Sequence, residues 1–230
     1  ITTNDPAGPC PAVSDAMVLT INPIATVSAG GASTICAGST YSPPATRGGG
    51  ATSSTWTTTG SGTFDNILLV LATYTPSVAD IAMGSVTLTI TTDDPAGPCL
   101  AVSDAMVLTI NPVATVSAGG ASTICAGSTY SPPATRGGGA TTSTWSTSGT
   151  GTFDNPLLVL VTYTPSAVDI AMGSVTLTIT TNDPPGPCPS VFDAMVLTIN
   201  PVATVSAGGA STICAGSPYS PPATRGGGAT

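Results

Sequence analysis

Cysteine and aspartate are the side chains through which this 230-residue chain can do chemistry: it has six Cys, and all 11 of its acids are Asp. The cysteines occupy two positions that recur at one spacing, Cys10, Cys99 and Cys188 (99 − 10 = 89, 188 − 99 = 89) and Cys36, Cys125 and Cys214 (125 − 36 = 89, 214 − 125 = 89). With no histidine and no metal-type cysteine spacing, they read as disulfide formers in an oxidising compartment. Asp5 and Asp15 flank one loop beside Asn4, and Asp93, Asp94 and Asp104 repeat that arrangement. Calcium takes about six to eight oxygen ligands, so these carboxylates make it a secondary reading. The preferred role is turn chemistry at Asn-Asp-Pro and solubility from the acids. Asp65 and Asp80 likewise read as turn and solvation residues.

What is missing narrows the function. There is no Lys, Glu, Gln or His, which removes most general acid–base chemistry, Schiff bases and histidine-ligated metals. Serine and threonine hydroxyls abound, but none has a base placed to activate it, so no catalytic residue, resident metal or cofactor is predicted. Three arginines, Arg47, Arg136 and Arg225, on a chain of net charge −8 give no nucleic-acid footprint. Arg47, before three glycines, reads as a solvated loop charge, with docking onto an acidic neighbour as the lesser reading. Membrane insertion is not expected either: the longest apolar run, 67–72, is far short of the ~20 residues of a spanning helix. Residues 1–5 show neither the basic start nor the apolar run of a leader, so the chain reads as mature or as a window of something longer.

A repeat organises everything else. Ile1-Thr2-Thr3-Asn4-Asp5-Pro6 returns at Ile90 and again at Ile179, and residues 1–89 differ from 90–178 at 11 positions, among them Asn4/Asp93 and Ile67/Pro156. A period of 89 residues is long enough for a small domain rather than a solenoid unit. Within it, 85–91 alternates strictly, with Val86, Leu88 and Ile90 on one face and threonines on the other. Met17, Leu19 and Ile21 predict a strand over 16–21 in the same way. Further strands are predicted at 25–28, 33–36, 40–41, 54–58 and 69–74. Turn clusters are predicted at 29–31, 47–50, 60–62 and 5–9. Thr75 as cap, Pro76 as first residue and Gly84 past the end predict a short helix. About seven short strands per ~90 residues is a β-sandwich pattern, with Trp56, Trp145, Leu88 and Leu177 as core. The outward threonines of 87–91 are ordinary sheet positions; an ice- or glycan-facing array is the weakest reading.

The runs Ser33-Thr34-Ile35-Cys36-Ala37-Gly38-Ser39, Gly48–Trp56, Gly60-Ser61-Gly62-Thr63-Phe64, Tyr74-Thr75-Pro76-Ser77 and Gly84–Thr89 resemble the Ig-like (PKD-like) tandem repeats of very large bacterial surface and secreted adhesin-type proteins. The resemblance spans the whole repeat. It implies an all-β chain of immunoglobulin-like sandwiches arranged head to tail as a rod, exported to the cell surface or secreted, with no catalytic residues. Pro43-Pro44 departs from the pattern by interrupting the second strand. On this plan 1–23 is the last strand of an incomplete preceding repeat, 24–112 and 113–201 are whole domains, and 202–230 holds the first strands of a following one.

In such a sandwich the two cysteine positions lie at opposite ends of one domain, beyond the ~7 Å Cα limit of a disulfide. End-to-end stacking brings Cys36 to Cys188, an inter-domain staple that leaves Cys10, Cys99, Cys125 and Cys214 without partners in this stretch. A same-domain Cys36–Cys99 bond and intermolecular or free thiols remain open. The function expected is a structural extracellular filament or fibre whose partners are identical repeats or chains; the alternative is the stalk of a large adhesin that presents a binding domain elsewhere. A surface so poor in charge does little to discourage association of strand edges and faces.

Overall fold

The alternating run after Gly84 forms an eight-residue strand that sits centrally in the main sheet of the first repeat. A computed structural model describes every residue except Asp5, Pro6, Asp94, Ala96, Asp183, Pro185, Ala229 and Thr230. The elements in order are β1 (Ala25–Ser28), β2 (Ser33–Cys36), β3 (Thr46–Gly49), β4 (Ser54–Thr58), β5 (Thr63–Phe64), β6 (Tyr74–Thr75), α1 (Val78–Met83), β7 (Ser85–Thr92) and β8 (Ser103–Asn111). One sheet runs β2-β8-β7-β4, while β1 pairs with β3 and β5 with β6. The antiparallel register sets Leu88 opposite Met106, Val86 opposite Leu108, and Trp56 opposite Ile90. Because side chains alternate along a strand, these residues share the inner face, and all six are buried. Fully burying a large aliphatic side chain contributes about 1.5–3 kcal/mol.

The same elements return as β9 (Ala114–Ser117), β10 (Ser122–Cys125), β11 (Thr135–Gly138), β12 (Ser143–Thr147), β13 (Thr152–Phe153), β14 (Tyr163–Thr164), α2 (Ala167–Met172), β15 (Ser174–Thr181) and β16 (Phe192–Asn200), followed by β17 (Thr204–Ser206) and β18 (Thr224–Gly226). Their main sheet is β10-β16-β15-β12, in which β10 lies parallel to β16 and the other pairs are antiparallel. Trp145, Tyr163, Leu177, Ile179, Leu197 and Ile199 centre its core. By contacts the chain divides into two units: Ile1–Ser33 with Thr40–Thr109, and Thr34–Ser39 with Ile110–Thr230.

The structure corrects six local expectations. The strand expected at 40–41 is only an isolated bridge from Tyr41 to Tyr74. Residues 16–21 form no strand: Met17, Leu19 and Ile21 are exposed, and Thr2–Ser14 is an isolated bridge in that region. The turn expected at 47–50 is largely strand β3, whose glycines carry no side-chain signal but pair in register with β1. The strand expected over 69–74 shrinks to Tyr74–Thr75. Asn66 turns the chain, its side-chain oxygen accepting from Leu68 N at 3.0 Å and its carbonyl from Leu69 N at 3.2 Å. Carbonyls of Leu69 and Val70 then accept from the Trp56 indole instead of from a neighbouring strand. Helix α1 is capped by Ser77, with Thr75 already spent in β6. Asp80 is not a solvation residue but fully buried.

Candidate functional site

Two side-chain clusters carry what chemistry the fold has. The first surrounds Asp80. Ser77 caps α1 by accepting from Asp80 N at 3.1 Å, and Asp80 answers by accepting from Ser77 N at 2.9 Å, a capping box. The same carboxylate accepts from Ser61 N (2.9 Å), Gly62 N (2.8 Å) and the Tyr74 hydroxyl (2.7 Å). Gly60 and Gly62 make this approach feasible, since a Cβ at either would collide with the carboxylate. Burial alone would push the Asp80 carboxyl up; the Ser77, Ser61 and Gly62 amides and the Tyr74 hydroxyl outweigh it and hold it below its ordinary value. Burial and the neighbouring charge of Asp80 push the Tyr74 hydroxyl up. Asp169 repeats the arrangement with Ser166, Thr150, Gly151 and Tyr163. With every donor aimed at a charge that already exists, the cluster is a lock between helix, hairpin and core. Phe64 extends it, its ring 5.4 Å from Trp56 and 5.0 Å from Tyr74.

Sequence reasoning missed this lock, although Ser77-x-x-Asp80 is a capping-box spacing and Gly60-Ser61-Gly62 exposes two amides beside it.

The second cluster is cysteine. Cys36, at the end of β2, is bonded to Cys188 in the proline-rich loop before β16, with a Cα–Cα distance of 5.4 Å and a sequence separation of 152. That separation lies within the usual Cα range for a disulfide. Both half-cystines are buried, and the Cys188 Sγ lies 3.8 Å from the Asn111 carbonyl. That carbonyl also accepts from Ala37 N at 2.8 Å, tying the end of β2 to Asn111. Gly186, at φ +89°, passes so close to Asn111 and Thr34 that a side chain there would strike both. Cys10, Cys125 and Cys214 are exposed thiols, and Cys99 is a half-buried one.

The remaining candidates are turn residues. Asp93 accepts from Thr52 N and Ser53 N, each at 3.0 Å, and from the Thr52 hydroxyl. Asn182 stands in the equivalent place and accepts from Thr141 N and Thr142 N, so the role needs no charge. Asp104 accepts from Ala29 N at 2.8 Å, Asp15 from Ala16 N, and Asp65 from Asn66 N and Thr73 N. Backbone donors hold the Asp65 and Asp104 carboxyls below their ordinary values, and the Thr52 hydroxyl, with the Ser53 and Thr52 amides, does the same for Asp93. Asp5 and Asp94 lie outside the described residues. Among the described residues no three acids or cysteines gather as metal ligands would. Arg47 and Arg136 donate to Ser54 and Ser143. Trp56, Trp145, Leu88 and Leu177 are all core. A shallow cleft in the second unit is lined by Asn111, Pro112, Gly139, Thr141 and Pro184, which offer no nucleophile or base. Among the described residues no helix is long and apolar enough to cross a membrane.

No protein-family model and no curated protein matches the chain. Solved structures do. Insect hemolin superposes with a TM-score of 0.51 at 12% identity, over 81% of this chain and 49% of its own. Mouse cadherin-23 EC22-24 matches with a TM-score of 0.42 at 13% identity, over 80% of this chain and 69% of its own. Drosophila N-cadherin EC1-4 matches at 0.41 and 12%, over 78% of this chain and 50% of its own. This chain thus spans about half the length of hemolin and of the N-cadherin fragment. The likeness is one of fold: the chain is an all-β protein of immunoglobulin-like sandwich type.

Proposed function

We propose that this chain is a structural segment of an extracellular filament, built from immunoglobulin-like domains that follow one another head to tail at 24–112 and 113–201. The observation that carries the reading is the Cys36–Cys188 disulfide, whose halves sit in successive 89-residue repeats (188 − 89 = 99, the other cysteine of Cys36's own repeat). Both cysteines lie in the second compact unit, so the bond fastens the Thr34–Ser39 segment, which comes from the first repeat's sequence, into that unit. On the chain-entropy model, closing so long a loop stabilises by about 5 kcal/mol. A disulfide of this kind belongs to a cell-surface or secreted setting.

Two further features support a mechanical role. The lock at Asp80 is repeated at Asp169, which stiffens each module without leaving a carboxylate free for catalysis. Exposed leucines recur at Leu68, Leu69 and Leu71 and again at Leu157, Leu158 and Leu160, an apolar surface suited to contact between copies. The resemblance of the repeat to bacterial adhesin-type arrays points to a bacterial surface. The activity proposed is therefore non-catalytic, with identical repeats or chains as partners.

Electron microscopy of the purified chain and of native material tests the reading. The expected result is continuous fibres with an axial period near one module, about 40 Å from strand length plus loops. Dispersed particles that never associate would overturn the filament and leave the adhesin stalk.

A further inference from the structure

The Cys36–Cys188 bond sorts the chain into residues that a pull along it reaches and residues that it does not. A load applied before Cys36 and after Cys188 runs up to Cys36, crosses the bond and continues from Cys188, so residues 37–187 form a closed loop off its path. Inside that loop lie β3 to β15 and both helices, and with them Trp56, Trp145 and the locks at Asp80 and Asp169. On the path lie β1, β2, β16, β17 and β18. Upstream, two four-residue strands stand between the pull and the bond: β1, in a two-stranded sheet with β3, and β2, at the edge of its sheet. Downstream, the element nearest the bond is β16, nine residues long and flanked by β10 and β15. Forced unfolding is governed by rate, and short strands with a single partner part first.

At rest the bond is shielded. Cys36 is 9% exposed and Cys188 1%. The Cys188 Sγ lies 3.8 Å from the Asn111 carbonyl, which also accepts from Ala37 N just beyond β2. Gly186 lies against Thr34 of β2, so the loop that carries Cys188 is walled on one side by the strand that brings Cys36. Thiol–disulfide exchange requires a thiolate to reach one of the two sulfurs, so burial slows it. Stripping β2 from its sheet takes that wall away and brings the Cys36 sulfur into water.

We infer that this bond is a tension-gated redox latch. Closed, it keeps residues 37–187 out of the load path and is shut to thiols. Under load β2 parts, a thiol reaches the bond, and the sequence separation of 152 is released as slack. The co-reactant is a small dithiol. One of its thiolates attacks the Cys36 sulfur and expels the Cys188 thiolate. The other then attacks the mixed disulfide at the reductant's own sulfur and expels the Cys36 thiolate. One S–S bond breaks in the protein, one forms in the reductant, and the two thiol protons end on Cys36 and Cys188. The latch acts within a single chain and goes beyond the filament reading, since it needs no association between copies.

The test pulls the full chain by its two termini in optical tweezers, with Cys10→Ser, Cys99→Ser, Cys125→Ser and Cys214→Ser in place so that no internal thiol reshuffles the bond. Without reductant, extension should stop at about 280 Å, because only residues 1–36 and 188–230 pay out, at ~3.6 Å each. With dithiothreitol and load, one further step of about 550 Å should follow, at a rate that rises with force. With dithiothreitol and no load, reduction of the folded chain should be at least about tenfold slower than in urea, read by alkylation and mass mapping. The same mapping of the Cys36 and Cys188 peptides in the unsubstituted chain decides the shielding even if the serine variant misfolds. Extension well past 280 Å without reductant, a step rate indifferent to force, or reduction at rest as fast as in urea overturns the inference. Absence of fibres in the microscope would leave the latch standing, and failure of the latch would leave the fibres.

Discussion

Residues 16–23 and 105–112 have the same sequence, Ala-Met-Val-Leu-Thr-Ile-Asn-Pro, and opposite fates. Met106, Leu108 and Ile110 are at most 3% exposed, whereas Met17, Leu19 and Ile21 are 84%, 73% and 83% exposed. In the second stretch β8 pairs along β7, and that register puts its apolar residues on the same sheet face as Leu88 and Trp56. Among the described residues no strand pairs with the first stretch. Alternation therefore states which face would be buried, but only a partner strand buries it. The same contrast separates Ser122–Cys125, a strand held by β16, from 211–214, which repeats its sequence without forming one.

The largest break in this comparison should come at the cysteine loops. Cys188→Ser removes a bond that closes a 152-residue separation and should cost about 2–5 kcal/mol in urea unfolding, while Cys99→Ser, in the twin loop, should stay within about 0.5 kcal/mol. Next come the twin strands themselves. Leu108→Ala should cost about 2–5 kcal/mol by leaving a cavity, and Leu19→Ala, on an exposed side chain, within about 0.5 kcal/mol. Equal losses at the two leucines would mean that 16–21 is also paired.

The Asp80 lock should be intermediate. Asp80→Asn keeps the shape but weakens charge-assisted hydrogen bonds, and should cost about 1–3 kcal/mol. Because the folded carboxyls of Asp80 and Asp169 lie below the ordinary 3.8, their contribution is fully present above that value. It is lost as pH falls through the lower folded values. Acid titration of the unfolding midpoint should thus steepen below about pH 4, and the Asp80→Asn, Asp169→Asn double variant should flatten that slope. The smallest effect is expected at Asp93→Asn, within about 0.5 kcal/mol by the same unfolding assay, since Asn182 already holds the same turn in the second repeat.

Much of the sandwich was legible in the sequence wherever one face is polar and the other apolar, as in 85–91, and the Trp and Leu core followed from it. Strand β3 was not, because a Thr-Arg-Gly-Gly strand has almost no side-chain pattern to read and depends on its pairing with β1. The run 69–74 looked like a strand from its hydrophobicity alone. Pro156 at the Ile67 position, just ahead of that run, was the available signal that the segment does not enter a hydrogen-bonded ladder. Asp80 was misread because buried carboxylates are rare, and only the amides of Ser61 and Gly62, brought in from a separate turn, make one tolerable. The cysteine pairing was open for a different reason: spacing gave the period, but which loops meet depends on tertiary placement.

Peptide mapping of the unreduced, alkylated protein tests most directly whether this chain is tied from repeat to repeat. A linked pair of fragments carrying Cys36 and Cys188 is the predicted result. A bond between Cys36 and Cys99 would confine the cross-link to one repeat and contradict it.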